Sequence, residues 1–296
     1  MTDDLGVARD VMDLLDGRLL EWTSVGPPGG DVLLHHHGTP SGSRPDRSWV
    51  RAVTGRGLRL VTPARPGYGF SDRRPGRGIA DVAADCAALL DRLEVEQAYV
   101  SGVSGGGPHA LACGALLGDR VRSVAVIGSV APYDAPGLDF LAGMAQDNVE
   151  EFGASLAGEA LLRSLLEPVR EELLKGDSEA TRAALDGLLP EVDRACLTGE
   201  VAEDLALGMA DALGRGLDGW IDDDLAFTRP WGFDLEALGG CRVSVWQGQQ
   251  DLMVPFAHGQ WLVAQIPGVH GHLLPDEGHL SIGAGMLDDV LDELLG

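Results

Sequence analysis

A serine set among glycines, Gly102-Val103-Ser104-Gly105-Gly106, is followed far downstream by an aspartate in Gly248-Gln249-Gln250-Asp251 and by a histidine in Gly278-His279. A serine hydroxyl is a poor nucleophile at neutral pH. It becomes effective when a base stands within hydrogen-bond reach and a third group fixes the tautomer of that base and stabilises its positive charge. Ser104, His279 and Asp251 are the residue types for those three tasks. The serine must also stand clear of the backbone on a tight turn. Glycine neighbours allow such close approach and unusual dihedrals, and Gly102 and Gly106 supply them on both sides.

The elements around these residues must place them on one side of a sheet. A short strand-type run, Ala98-Tyr99-Val100, precedes the serine, and an Ala/Leu-rich helix is expected over 108–117. Pro108 falls in its first turn, where a missing N–H costs little, and the helix N-terminus points free N–H groups toward the serine. Asp251 follows a strand expected over 241–246, and His279 follows one over 269–274. A further strand over 31–36, with the apolar run Val32-Leu33-Leu34, leads into His35-His36-His37-Gly38-Thr39-Pro40. Three consecutive histidines on a strand alternate faces, so they cannot all reach one ion, and no metal is expected. The better reading is a loop at a strand's C-terminal end that offers backbone N–H groups to an oxyanion.

The rest of the chain supplies the scaffold. Val7, Val11, Leu14 and Leu15 fit a short leading helix over 1–16. Strands are expected over 18–25, 58–61 and 121–127, with helices over 48–54 and 79–93. In the second helix Val82, Cys86, Leu89, Leu90 and Leu93 share one face. From 131 to 228 strand signals vanish, and Leu, Ala, Glu and Asp recur at helical periods. Alternation then returns, with a helix over 256–265 and a closing helix over 281–295. Alternating strands and helices give an α/β fold with a mostly parallel central sheet flanked by helices. Chemistry in such sheets gathers beyond the C-terminal ends of the strands, where His37-Gly38-Thr39, Ser104, Asp251 and His279 all fall.

Composition narrows the class. The 296 residues are 45% hydrophobic, enough for a full core. No apolar run reaches the roughly 18 residues needed to span a bilayer, and the acidic start, MTDDLGVARD, lacks a signal-peptide h-region. The expected location is cytoplasmic. A net charge of −24 would repel nucleic acid and anionic membranes, so neither is expected as a partner. Cys86, Cys113, Cys196 and Cys241 are dispersed and fit buried thiols better than a disulfide or zinc framework.

Five segments together carry a resemblance. They are His37-Gly38-Thr39-Pro40, Pro66-Gly67-Tyr68-Gly69-Phe70-Ser71-Asp72, Gly102-Val103-Ser104-Gly105-Gly106, Gly248-Gln249-Gln250-Asp251-Leu252-Met253-Val254-Pro255 and Gly278-His279. With them the chain resembles the α/β-hydrolase superfamily, of the capped serine hydrolase or esterase type, over nearly its whole length outside the helical insertion. The order Ser, Asp, His is the one that superfamily uses. The resemblance implies that Ser104 is the nucleophile, His279 the general base and then acid, and Asp251 the orienting acid. It implies an oxyanion hole from the backbone N–H groups of Thr39 and Gly105, and a helical cap at 131–228 inserted after the sixth strand. The core domain would then comprise 1–130 and 229–296. A serine at the elbow departs from the aspartate that epoxide hydrolases and haloalkane dehalogenases of this fold need. The HGTP loop differs from the HGGG loop of lipases and the HGGPG loop of proline iminopeptidases.

The expected activity is cofactor-free hydrolysis of a small-molecule substrate, with carboxylic esters cleaved through an acyl-enzyme as the first choice. The alternatives are a C–C bond hydrolase or an amidase/aminopeptidase with the same triad, or a low-turnover ligand receptor on the same fold. A homodimer is compatible with the sequence, which leaves oligomeric state open. Candidates for the pocket are His37, Trp220, Phe227 and Trp231, for the last three of which, as for Phe233, ordinary packing is the competing reading. Asp251 competes with a helix N-cap role, and Asp134 is the alternative acid, with Asp276 too close to His279 in sequence to be favoured. His109 reads as a packing residue, His258, His270 and His272 as surface or helix positions, and Arg65 and Asp72 as ties within their loop.

Overall fold

A computed structural model describes residues 6–296. In chain order the first elements are β1 (Ala8–Asp13), β2 (Leu19–Val25), β3 (Val32–His36), α1 (Arg47–Gly55), β4 (Arg59–Pro63) and α2 (Asp81–Arg92). Next come β5 (Ala98–Val103), α3 (Gly107–Leu116) and β6 (Val121–Ile127). A strand-free stretch follows, with α4 (Gln146–Ala157), α5 (Glu159–Leu173), α6 (Ser178–Leu185), α7 (Glu191–Cys196), α8 (Gly199–Leu213) and α9 (Asp218–Phe227). The chain closes with β7 (Arg242–Gly248), α10 (Phe256–Gln265), β8 (His270–Leu274), α11 (His279–Gly285) and α12 (Leu287–Leu295).

The eight strands form one sheet in the order β1-β2-β4-β3-β5-β6-β7-β8. From β4 to β8 all neighbours are parallel, whereas β1 pairs antiparallel with β2, and β2 with β4. All five residues of β3 are buried, as are six of the seven in β6, which is what strands covered by helices on both faces require. One face of the sheet is covered by a cluster that includes Val82, Leu89 and Leu90 of α2, Leu111 of α3 and Leu262 of α10. The other is covered by Trp49 and Val53 of α1, Ile282 of α11 and Val290 and Leu291 of α12. A third cluster, with Leu162, Leu166, Leu213 and Ile221 of the helical stretch, packs onto Ala64 and Tyr68 of the loop after β4. That contact seats the helices over the C-terminal side of the sheet. No helix of the described residues is long and apolar enough to cross a membrane.

The leading segment differs from the helix expected over 1–16, of which residues 1–5 lie outside the described residues. From Ala8 it is a strand whose pairs with β2 run from Ala8↔Ser24 to Asp13↔Leu19. Val11 and Leu15 are exposed while Val7 and Leu14 are buried, so the four never share a helical face. Pairing with a distant strand overrides a spacing that is apolar by helical count. The closing helix expected over 281–295 is two helices, interrupted at Met286, where φ is −112° and ψ is 7°.

Candidate active site

Ser104 sits directly after β5 with φ at 52°, in the left-handed region. Among the described residues only Glu94 shares this trait without being glycine. Such a conformation costs about 1–3 kcal/mol and persists where the surroundings over-determine it. They do so here through close backbone approach. A Cβ on Gly102 would collide with the Gly106 carbonyl oxygen, and one on Gly106 with the carbonyl oxygens of His36 and His37. The turn then enters α3 with Pro108 in its first turn.

Asp251 and His279 meet across two loops. His279 Nδ1 lies 2.7 Å from Asp251 Oδ2. Asp251 Oδ1 accepts the backbone N–H groups of Met253 and Val254, each at 2.8 Å, and Gln247 Nε2 donates to Oδ2 at 3.1 Å. The cap-like role and the contact with histidine thus coexist on different oxygens of one carboxylate. With Nδ1 donating to Asp251, Nε2 is the nitrogen free to take a proton. Burial alone would depress the His279 imidazole, but the charge and hydrogen bond of Asp251, with Asp193 adding, outweigh it and raise the ring above its ordinary value. Asp134 and Asp276 are both exposed.

Ser104 and His279 line one cavity of about 700 Å³, between the core loops and the helical stretch. That volume is ordinary for a small-molecule site. Gly38, Thr39 and Gly105 line it beside the serine. A Cβ on Gly105 would strike the Thr39 side chain and the Phe227 ring, so both side chains pack directly against the Gly105 Cα.

The helical stretch contributes two aspartates that sequence reasoning missed. Asp223 of α9 is fully buried against the loop that follows β3. Its Oδ2 accepts the Thr39 hydroxyl at 2.7 Å, the Tyr68 hydroxyl at 3.0 Å and Arg65 Nη2 at 2.7 Å. Its Oδ1 accepts Arg77 Nη2 at 2.5 Å. Arg65 reaches onward to the carbonyls of His37, at 2.5 Å, and Gly38, at 3.0 Å. Burial opposes the charge of Asp223, yet Arg65 and Arg77 hold its carboxyl well below the usual range. Asp193 of α7, also fully buried, accepts the backbone N–H groups of His279 at 2.7 Å, Leu280 at 3.0 Å and Ser281 at 2.9 Å, and so caps α11. An acidic run such as Asp222-Asp223-Asp224 would signal burial only through its apolar neighbours Trp220, Ile221 and Phe227.

The other expected residues divide. Trp220 and Phe227 line the cavity; His37 and Trp231 do not. His37 is buried, its Nδ1 2.8 Å from the Gly38 carbonyl and its Nε2 accepting the Arg65 N–H at 3.2 Å. It braces its own loop and cannot face a substrate. Trp231 stacks on Phe233 in the main core, with ring centroids 5.7 Å apart. His109 is buried 3.6 Å from Asp223, and burial drives its pKa down to about 4. His258, expected at a surface or helix position, sits on α10 and is fully buried: Nδ1 accepts the Ala131 N–H at 3.0 Å and Nε2 donates to the Phe140 carbonyl at 2.9 Å. His270 is exposed beside Glu293, and His272 stacks on Trp246. Arg65 ties its loop to α9 through Asp223, and Asp72 accepts the Leu19 N–H at 2.8 Å. His36, Cys86 and Cys113 bring ligand-type atoms within 4.8 Å of one another in the core, a grouping the spacing did not suggest. The neighbouring Cys113 thiol and burial hold the Cys86 thiol well above its ordinary value, which favours the neutral packing form.

Comparison with known proteins places this geometry in a family. Residues 31–284 match the alpha/beta hydrolase fold family, and the chain belongs to it. Among curated relatives it is similar to the uncharacterized hydrolase YcgS of Bacillus subtilis, at 30% identity over 115 residues, 39% of each chain. It is also similar to the dihydrolipoyllysine-residue acetyltransferase component of the acetoin cleaving system of Pseudomonas putida, at 26% identity over 89% of this chain and 62% of the relative. The chain thus spans between about two-fifths and three-fifths of the length of these relatives. Among solved structures, a hydrolase from Pseudomonas aeruginosa superposes with a TM-score of 0.70 at 20% identity, covering 97% of this chain and 98% of that one. At that identity the likeness concerns the fold.

Proposed function

We propose that the chain is a cofactor-independent serine hydrolase that cleaves small carboxylic esters through an acyl-enzyme. The observation that carries this reading is the 2.7 Å contact between His279 Nδ1 and Asp251 Oδ2, made at the rim of the cavity onto which the strained Ser104 opens. In this account His279 Nε2 takes the Ser104 proton as Oγ attacks the ester carbonyl. Asp251 holds the ring in the productive tautomer and offsets the imidazolium charge. The N–H groups of Thr39 and Gly105 receive the oxyanion, where one well-placed donor is worth about 10²–10³ in rate. His279 then protonates the leaving alcohol and activates the water that releases the acid. The helices α4 to α9 act as a cap that roofs the cavity and sets its shape.

A chain-length series of p-nitrophenyl esters, run beside matched amides and β-diketones, tests the reading. Turnover of short esters that Ser104→Ala abolishes is the expected result. Cleavage of the β-diketones or amides in preference to the esters would overturn the ester assignment, and turnover that survives Ser104→Ala would overturn the nucleophile.

A further inference from the structure

The roof of the cavity carries an acidic pair for which the hydrolytic machinery has no use. Glu151 of α4 and Asp224 of α9 both line the space that holds Ser104 and His279. Each carboxyl group lies near enough to shift the proton affinity of the other. Trp220 Nε1 donates to Glu151 Oε1 at 2.6 Å and fixes that side chain. Asp224 is 2% exposed, and its Oδ2 has no hydrogen-bond donor among the described residues. Burial and the adjacent Glu151 push the Asp224 carboxyl well above its ordinary range. Burial raises Glu151 too, against the hydrogen bonds from Asp224 and Trp220. Two carboxyl groups this close cannot both be charged unless a donor or a cation lies against them. Until then one buried oxygen, Asp224 Oδ2, is left without a donor.

The charge of the surrounding wall says what kind of donor fits. Asp147 and Glu150 line the same cavity. Arg51, the one cationic side chain lining it among the described residues, is paired with Glu200, and Asp204 is paired with Arg47. Asp147, Glu150, Glu151 and Asp224 have no arginine or lysine of their own within ion-pair distance among the described residues. A concave wall of one sign concentrates ligands of the other; Asp147 and Glu150 are exposed, and the burial that strengthens the attraction belongs to Glu151 and Asp224. The lining of the same cavity also includes the apolar Leu166, Met209, Phe227 and Val254, which suits a hydrocarbon arm.

Resting on the serine hydrolase reading above, we propose that Glu151 and Asp224 form a recognition site for a protonated primary or secondary amine on the substrate, so that the preferred esters carry an ammonium group joined to the acyl carbonyl by a hydrocarbon arm. The ammonium donates to both carboxylates, and any proton held by either of them leaves to solvent. Anionic esters are disfavoured by the same wall.

The test compares p-nitrophenyl esters of ω-amino acids of increasing length with their N-acetyl counterparts and with ω-hydroxy analogues. At the best length the wild-type kcat/KM ratio of amine to N-acetyl ester is expected to exceed about tenfold, the size of one charged hydrogen bond. In Asp224→Asn and in Glu151→Gln that ratio is expected to fall to within about threefold of unity. A ratio corrects for any general loss of activity in the variants. Binding is read separately on Ser104→Ala by thermal shift with the ω-amino acid methyl esters. A Tm increase that the N-acetyl forms do not produce, and that is lost when Asp224→Asn is added, supports the site. A wild-type ratio near one, a ratio unchanged in both carboxyl variants, or equal preference for the hydroxy analogue would overturn it. Should Ser104→Ala retain turnover, the serine hydrolase reading fails, while the thermal shifts still decide whether an amine binds at Glu151 and Asp224.

Discussion

Asp223, on a helix of the insertion, accepts the hydroxyl of Thr39, in the loop after β3, at 2.7 Å. The same carboxylate holds Arg65 and Arg77, and Arg65 holds the carbonyls of His37 and Gly38. Asp193, from the same helical stretch, holds the backbone N–H of His279. The helical stretch therefore grips both loops that flank Ser104. In the proposed mechanism it would fix the oxyanion loop and the base together, so its contribution goes beyond shaping the pocket.

Removing the Asp223 carboxylate strands two buried guanidinium groups. Asp223→Ala is expected to lower the free energy of unfolding by about 3–5 kcal/mol, the usual cost of breaking a buried ion pair on one side. Because the folded carboxyl is held low, its contribution is present above the unfolded value of about 3.9 and is lost as pH falls toward the folded one. Urea titrations at neutral pH and near pH 3 check both statements. A loss below about 1 kcal/mol at neutral pH would show that the arginines find other partners.

Asp193→Ala removes three backbone hydrogen bonds at the start of α11. A lost helix cap costs about 1–2 kcal/mol. The larger effect is expected on catalysis, because His279 is the first residue of that helix. A misplaced base lowers kcat by about 10²-fold with little change in KM. Steady-state kinetics separate this from a pocket effect, in which KM would move instead.

The proton affinity of His279 sets the pH dependence. In the proposed mechanism the His279 ring acts as general base and must be neutral, and its pKa is raised above the ordinary 6.5. The acid limb of kcat/KM is therefore expected above about 6.5. Asp251→Asn is expected to move that limb down and to reduce kcat by about 10⁴, by analogy with triads generally. The raised pKa adds stability that is full below the unfolded value and is lost as pH rises through the folded one. A loss of kcat below tenfold would mean that another carboxylate serves the histidine.

Gly105 has no room for a side chain between Thr39 and Phe227. Gly105→Ala is expected to push the Thr39 and Phe227 side chains away, disturb the loop that carries the Thr39 amide, and cost about 10² or more in kcat, with the fold retained. Circular dichroism and ester kinetics on the same sample check this, and unchanged turnover would remove these amides from the mechanism.

The contrast between Ser104 and Asp223 shows what the sequence could and could not reveal. Ser104, Asp251 and His279 each follow a strand at its C-terminal end, and short-range signals mark them: flanking glycines, a strand-type run, a turn. The sheet and the helical stretch after β6 were legible for the same reason. Asp193 and Asp223 carry no local mark, since their roles come from partners far along the chain. Arg65 and Arg77 lie 158 and 146 residues from Asp223. An isolated acidic residue on a helix reads as solvated until its neighbours are known. The leading strand departs from the expected helix for a related reason, since its apolar spacing fits a helix while its hydrogen bonds belong to β2. His37 and Trp231 point away from the cavity because Arg65 and Phe233 hold them, which spacing does not disclose.

The most direct test of the central claim is covalent trapping. Wild-type protein is treated with a fluorophosphonate, and the modified peptide is mapped by mass spectrometry beside Ser104→Ala and His279→Ala. Stoichiometric modification of Ser104, absent in the first variant and slowed by orders of magnitude in the second, is the predicted result. A folded wild type that stays unmodified, or carries the label on another residue, would contradict an activated serine at this site.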